Sequence, residues 1–243
     1  MNKQQIIDAY DILASYYEYS VDHEGPYNTD YERPAMMNQL PSSMKGMKVL
    51  DAGCAAGWYT EHFLNRGANV TAIDVSSEMV AATKRRIGEK ADVFQLDFEN
   101  TLPFADSTYD CIVSSLALHY IADWKRTFAE FARILKPNGT FLFSVHHPTM
   151  DIHLSENKQY FMRELLHDRW KKSNKYIDMY FYRRPLQDII NDTVHYFGIE
   201  KMIEPIPTEK FLKNHPSSYE KLLKQPSFLI IKAKKRASSD IDE

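Results

Sequence analysis

The sequence is short of glycine, nearly devoid of cysteine, and contains no long apolar run. Each shortage excludes something. With two cysteines in 243 residues, Cys54 and Cys111, a disulfide framework is impossible and a cysteine-based zinc cluster lacks ligands, which fits a reducing, cytoplasmic compartment. No stretch approaches the ~18 apolar residues that a membrane span needs. The leading MNKQQIIDAYDILASYYEYS lacks the apolar core of a secretion signal, so no membrane association is expected. A basic excess is missing too: 30 Lys and Arg against 33 Asp and Glu give a net charge of −3, which argues against a dedicated nucleic-acid binder. Glycine numbers only 8, about 3% where about 7% is usual. A chain this sparing places glycine at joints.

What is present is a change of texture along the chain. Ile6, Ile7, Tyr10, Leu13, Ala14 and Tyr17 recur at three- and four-residue spacing and predict an N-terminal helix. A proline-bearing loop follows, with a short helix around 35–40. From Met47 onward, short apolar runs alternate with helical patterns. Strands are expected at 48–51, 70–74, 92–95, 109–114, 140–146 and 199–203, and helices at 57–66, 77–87 and 123–135. Gly46, Gly67, Gly88, Gly139 and Gly198 fall between these elements, Gly53 and Gly57 fall in one loop, and Gly25 has no assigned role. Strand–helix alternation of this kind predicts an α/β fold, a doubly wound, mostly parallel sheet with helices on both faces. In such sheets ligands bind beyond the carboxyl ends of the strands.

The residues just past the strands are therefore the ones to weigh. Val49-Leu50-Asp51-Ala52-Gly53-Cys54-Ala55-Ala56-Gly57 is a strand entering a small-residue loop and then a helix. A dinucleotide fingerprint would need glycine at 55 and 58, where the chain has Ala55 and Trp58. Three acids decide the matter. Asp51, Asp74 and Asp97 close three successive strands at equal 23-residue spacing. A carboxylate after the second strand can accept both hydroxyls of a ribose. Asp51 would repel a pyrophosphate but suits an ammonium and a sulfonium, and Asp97 followed by Phe98 suits an adenine amino group and ring. Together they describe S-adenosyl-L-methionine.

With these segments in this order, and with FQLDFENTLPFADSTYDCIVSSLALHYI and ILKPNGTFLFSV behind them, the chain resembles the class I S-adenosylmethionine-dependent methyltransferases. The small-molecule branch similar to quinone-biosynthesis methyltransferases is the nearest in pattern. The resemblance covers about residues 45–147. It implies a Rossmann-like, seven-stranded sheet whose last strand, near 228–231, is antiparallel. It implies that Asp51, Gly53, Ala55 and Gly57 line the methionine moiety and that Asp74 holds the ribose. Ser76 or Met79 would edge the adenine, Asp97 would face its amino group, and Phe98 would offer its backbone N–H. Ser114 would run beside the methionine portion. A Tyr from the leading helix would close over the cofactor, with Tyr17 on the apolar stripe. Alanine at 55, where the family often has glycine, is the one departure.

After His147 the alternation stops, and residues 148–197 are rich in Tyr, Phe and Trp. This aromatic-rich insertion, with a strand at 175–183 and a helix at 185–196, lies between two strands and is expected to roof the site and form the pocket for a small-molecule methyl acceptor. The expected organisation is a helical lid over 1–44, a cofactor-binding core over 45–147 and 198–236, the capping insertion over 148–197, and a disordered tail over 237–243. His119 and His147, just past two strands, are candidate general bases because imidazole titrates near neutral pH. His146 is a weaker candidate. No metal site is expected. The reading is methyl transfer to a small molecule by in-line displacement, with unknown oligomeric state. Its rival is a catalytically silent protein that binds the same adenosyl ligand for regulation or interaction.

Overall fold

A computed structural model describes residues 3–172 and 175–236; the expected tail at 237–243 lies outside the described residues. Helices α1 (Lys3–Tyr19), α2 (Val21–Glu24) and α3 (Arg33–Met37) lead the chain. Then β1 (Lys48–Ala52), α4 (Trp58–Asn65), β2 (Asn69–Asp74), α5 (Ser77–Ile87), β3 (Asp92–Gln95), β4 (Tyr109–Ser115), α6 (Trp124–Ile134) and β5 (Leu135–His146) alternate. The hairpin β6 (Glu164–Lys172) and β7 (Lys175–Arg183) follows, then α7 (Leu186–Tyr196), β8 (Phe197–Ile203), α8 (Glu209–Asn214), α9 (Pro216–Leu222) and β9 (Phe228–Lys235).

Seven strands form one sheet in the order β3-β2-β1-β4-β5-β9-β8. The first five are parallel, and β9 runs antiparallel to both its neighbours. The order reverses between β1 and β4, which makes their carboxyl ends the natural crevice for a ligand. Alternation along the strands divides the core between the two faces. Phe141 and Phe143 of β5 join Trp124, Phe128 and Phe131 of α6 and Phe197 on one face. Leu142, between them, joins Met36, Met37, Tyr59 and Phe63 on the other.

Three sequence expectations need correction. β5 starts at Leu135, not at Thr140. Its pairing jumps from Tyr109–Leu135 to Cys111–Thr140, so residues 136–139 bulge from the ladder. The left-handed residue in that bulge is Asn138 (φ 61°) rather than Gly139; Gly139 is there for space, because a Cβ would lie 2.8 Å from the Leu135 side chain. Gly198 lies inside β8, not before it. Strand β6 was not legible, since only Leu166 on it is buried and the rest reads as a charged segment.

The N-terminal segment is fastened to the sheet by Glu32, which has no exposed surface. Its carboxylate accepts from Tyr59 Oη of α4 (2.8 Å), Ser115 Oγ of β4 (2.9 Å) and Ser144 Oγ of β5. Burial raises its pKa and the three hydroxyls oppose that rise. Glu32→Ala would leave three hydroxyls without their acceptor, and Glu32→Gln would keep most of the contact. Denaturant unfolding should show a loss of about 3 kcal/mol for the alanine variant and a clearly smaller loss for glutamine.

Candidate active site

A cavity of about 590 Å³ opens at the carboxyl ends of the central strands, within the size range of ligand pockets. Its floor is the loop after β1 (Gly53, Cys54, Ala55) and the loop after β4 (Leu116, Ala117). The two loops nearly touch: a Cβ on Gly53, whose φ is +84°, would sit 2.6 Å from the Ala117 Cβ. Only glycine allows that approach. Asp74 at the end of β2 with Val75 after it, and Phe98 beyond β3, form one side. His119 and Tyr120 after β4, with His146 at the end of β5 and Asp151 beyond it, form the other.

The roof has two parts. Tyr10, Tyr16 and Tyr17 of α1 cover one edge, and residues 168–172 of β6 cover the adjoining one. They are joined underneath: Ile177 and Met179 of β7 pack with Leu13 and Ala14 of α1 and Met79 of α5. The hydroxyls of Tyr10 and Tyr120 lie 2.7 Å apart, and the Lys172 ammonium stands 4.8 Å from the centre of the Tyr16 ring.

Seven of the residues singled out in the sequence line this cavity: Tyr17, Gly53, Ala55, Asp74, Phe98, His119 and His146. The others sit behind its wall. Asp51 is buried and accepts from Thr60 Oγ1 at 2.6 Å. Gly57 (φ +79°) faces Thr83 of α5, where a Cβ would meet the threonine at 2.9 Å. Ser76 caps α5 by accepting from the Met79 N–H and donates to Asp11 of α1. Met79 is buried in the α1–β7 cluster. Asp97 is engaged by Lys3 and by Asn100 Nδ2. Ser114 donates to the Ala52 carbonyl at 2.9 Å. His147 is held between Thr149 and Glu204 and does not face the main cavity.

Asp74 is the best placed polar group in the wall. Its two oxygens accept from the Ser76 and Ala55 N–H groups, each at 2.9 Å, the Val75 N–H also acts on the carboxylate, and acceptor capacity remains for a ligand. Burial pushes its carboxyl up to about 6, against those backbone hydrogen bonds. The Ala55 N–H is delivered from a left-handed backbone (φ 47°), a conformation that an L side chain resists by about 1–2 kcal/mol. Asp51 is raised further, to about 7, by burial first, with Thr60 opposing and the charge of Asp74 adding to it.

Sequence reasoning missed Arg33. It is almost fully buried, lines the cavity, donates to Asp22 Oδ1 at 2.7 Å and lies 4.4 Å over the Trp58 ring. Arg86 takes the other oxygen of Asp22 at 2.7 Å. Burial raises the Asp22 pKa, but the two guanidinium groups outweigh it and keep that carboxyl below its ordinary range. Arg33 sits in an aperiodic, proline-flanked stretch, so no pattern marked it. His146 also lines the cavity, held through Nδ1 by Asp151 Oδ2 at 2.9 Å. The five-residue offset across a strand end gave no sign of that pair.

The family described as "Methyltransferase domain" matches residues 50–143, the strands and loops that build this floor. The chain superposes on a Listeria monocytogenes protein assigned to the S-adenosylmethionine-dependent methyltransferases with a TM-score of 0.73 and 27% identity, covering 85% of this chain and 97% of that one. The chain belongs to the S-adenosylmethionine-dependent methyltransferases. S-Adenosylmethionine is therefore the cofactor of this methyltransferase. An uncharacterized Haemophilus influenzae protein is 30% identical over 227 residues, 86% of this chain and 88% of its own length. Malonyl-[acyl-carrier protein] O-methyltransferase of Erwinia billingiae is 34% identical over 144 residues, 59% of this chain; the match spans only 54% of that enzyme.

The residues of the methyltransferase fit that cofactor. Asp74 offers unfilled acceptor positions for a diol, Arg33 a guanidinium for a carboxylate, and Phe98 an apolar wall for a base. No helix among the described residues is long and apolar enough to cross a membrane.

Two outcomes follow from this geometry. Ala55→Gly relieves the left-handed strain and should raise unfolding stability by about 0.5 kcal/mol, the strain relief being partly offset by the freer unfolded chain. Asp51 binds its proton more tightly folded than unfolded, so its contribution to stability falls as pH rises from about 4 to about 7. Asp51→Asn lacks that dependence. Relative to the parent, it should gain on the order of 2 kcal/mol between about pH 5 and about pH 8 in denaturant unfolding of the ligand-free protein.

Proposed function

We propose that the methyltransferase transfers a methyl group to an oxygen of a small-molecule acceptor. In this reading the cofactor occupies the side of the cavity formed by the ends of β1–β3. The acceptor occupies the side formed by the loops after β4 and β5. The observation that carries the reading is Asp74, a buried carboxylate at the end of β2, beside the strand-order reversal, with acceptor capacity facing an apolar cavity. The oxygen acceptor draws support from the O-methyltransferases among the relatives. Those relatives offer nothing toward a catalytically silent role.

S-Adenosylmethionine supplies an electrophilic methyl group on a sulfonium sulfur. The work left to the chain is alignment and exclusion of water. Asp74 accepts from the ribose hydroxyls, Phe98 borders the adenine, and Gly53 and Ala55 bring the β1 loop against the methionine portion. Arg33 takes its carboxylate. Asp51, Gly57, Ser76, Met79 and Ser114 act one layer back, fixing the loop and the start of α5 that present those groups. Asp97 tethers the beginning of α1 through Lys3. Tyr17, with Tyr10 and Tyr16 of α1, forms one leaf of a lid, and residues 168–172 of β6 in the insertion form the other.

Calorimetry with S-adenosylhomocysteine tests this reading. The parent should bind. Asp74→Ala loses charge-assisted hydrogen bonds worth about 1.5–3 kcal/mol, so its affinity should fall roughly tenfold to over a hundredfold. Unchanged affinity in that variant would remove Asp74 from the site.

A further inference from the structure

The acceptor side of the cavity holds a cluster that the cofactor does not use. The His119 and His146 rings stack with centroids 4.1 Å apart, and the edge of Phe181 from β7 meets both, at 5.9 Å and 4.9 Å. His119 is 2% exposed, and neither of its ring nitrogens has a hydrogen-bond partner among the described residues. A buried polar group in that state is missing the hydrogen bond that would offset its loss of water. It also lines the cavity, so the missing partner can be a ligand atom. Among the described residues His146 is hydrogen-bonded only at Nδ1, by Asp151, whose carboxylate is itself 2% exposed. A carboxylate accepts, so Nδ1 is the donor in this pair, and Nε2 is the nitrogen left to accept when the ring is neutral.

We propose that His146, oriented by Asp151, is the base that takes the proton of an aromatic or enolic hydroxyl on the acceptor, with His119 as the second contact to that oxygen. The inference rests on the division of the cavity given above. The surroundings select this class. Phe181, Tyr120, Leu116 and Phe228 give flat, apolar walls. The carboxylate of Asp151 disfavours an acceptor that arrives as an anion, such as a carboxylate, which would need no base. The groups around His146 are Asp151 from the turn after β5, His119 and Tyr120 from the turn after β4, and His147 just past the end of β5. Arg184 lies beyond β7, across a small void that His119 and His146 also line. Burial, with His146 and Arg184 adding to it, pushes the His119 pKa well below its ordinary value, so that ring is neutral near pH 7.

The step balances. The acceptor O–H bond breaks and its proton passes to Nε2 of His146. The oxygen electron pair forms the new bond to the methyl carbon as the carbon–sulfur bond breaks, leaving a neutral thioether. The imidazolium then returns its proton to water.

The test uses the full chain saturated with S-adenosylhomocysteine, whose binding is measured first; failure there would overturn the cofactor reading, not this one. Two-bond proton–nitrogen NMR of histidine-labelled protein should show neutral His146 protonated on Nδ1, a preference that Asp151→Asn loses. A proton on Nε2 in the parent overturns the proposal. The acceptor probe is 4-nitrophenol, whose phenolate absorbs visible light. At slightly acid pH the bound probe should be about tenfold more ionised in the parent than in His146→Gln, equivalent to one pKa unit. Equal ionisation in the two proteins, or no binding of the probe to the parent complex, overturns the proposal. Retained S-adenosylhomocysteine affinity in His146→Gln shows that the variant is folded.

Discussion

One carboxylate with no exposed surface organises the ligand-facing edge of this protein. Glu32 gathers hydroxyls from α4, β4 and β5 onto a single pair of oxygens, and so fixes a non-repetitive N-terminal stretch onto a regular sheet. The adjacent Arg33 is placed by that anchor, and Asp22 and Arg86 carry the connection on to α5. The anchor works with Met36, Met37, Leu40 and Met44, which bury the following turns of the same segment against the sheet. Burying a charge is unfavourable unless hydrogen bonds compensate it, and here the three hydroxyls are also what define the position.

The sheet was legible because strands buried on both faces read as apolar runs and because the joints between them carry distinctive residues. The acids at the strand ends were legible for the same reason: topology alone puts 51, 74 and 97 on one edge. Which of them faces a ligand was not legible. Asp51 is taken by Thr60 and Asp97 by Lys3, partners that only the folded chain brings near. Asp74 faces the cavity because backbone N–H groups bind its oxygens from the rim. His147 and His146 are neighbours in sequence, and strand alternation sends them to different surroundings. Sequence favoured the one that turns toward Glu204. β6 stayed hidden because a hairpin exposed on one face needs little apolar content.

The floor and the roof differ in how they are held. The floor is built by parallel strands and by loops in tight conformations, Gly53 and Ala55 among them, so its geometry is rigid and carries strain. The roof is held by an apolar seam between α1 and β7 and by ion pairs at its outer edge, such as Glu18 with Arg85. Exposed pairs of this kind contribute little. The cavity thus combines a stiff cofactor side with a cover whose attachment is weaker, an arrangement suited to admitting two ligands in turn.

The placement of tryptophan has a practical side. Of the three in the chain, Trp124 is sealed in the core, while Trp58 and Trp170 lie in the cavity wall on opposite components, one on α4 and one on the hairpin. The protein thereby carries its own optical reporters, one on the floor and one on the roof, and their emission is coupled to whatever fills the space between them.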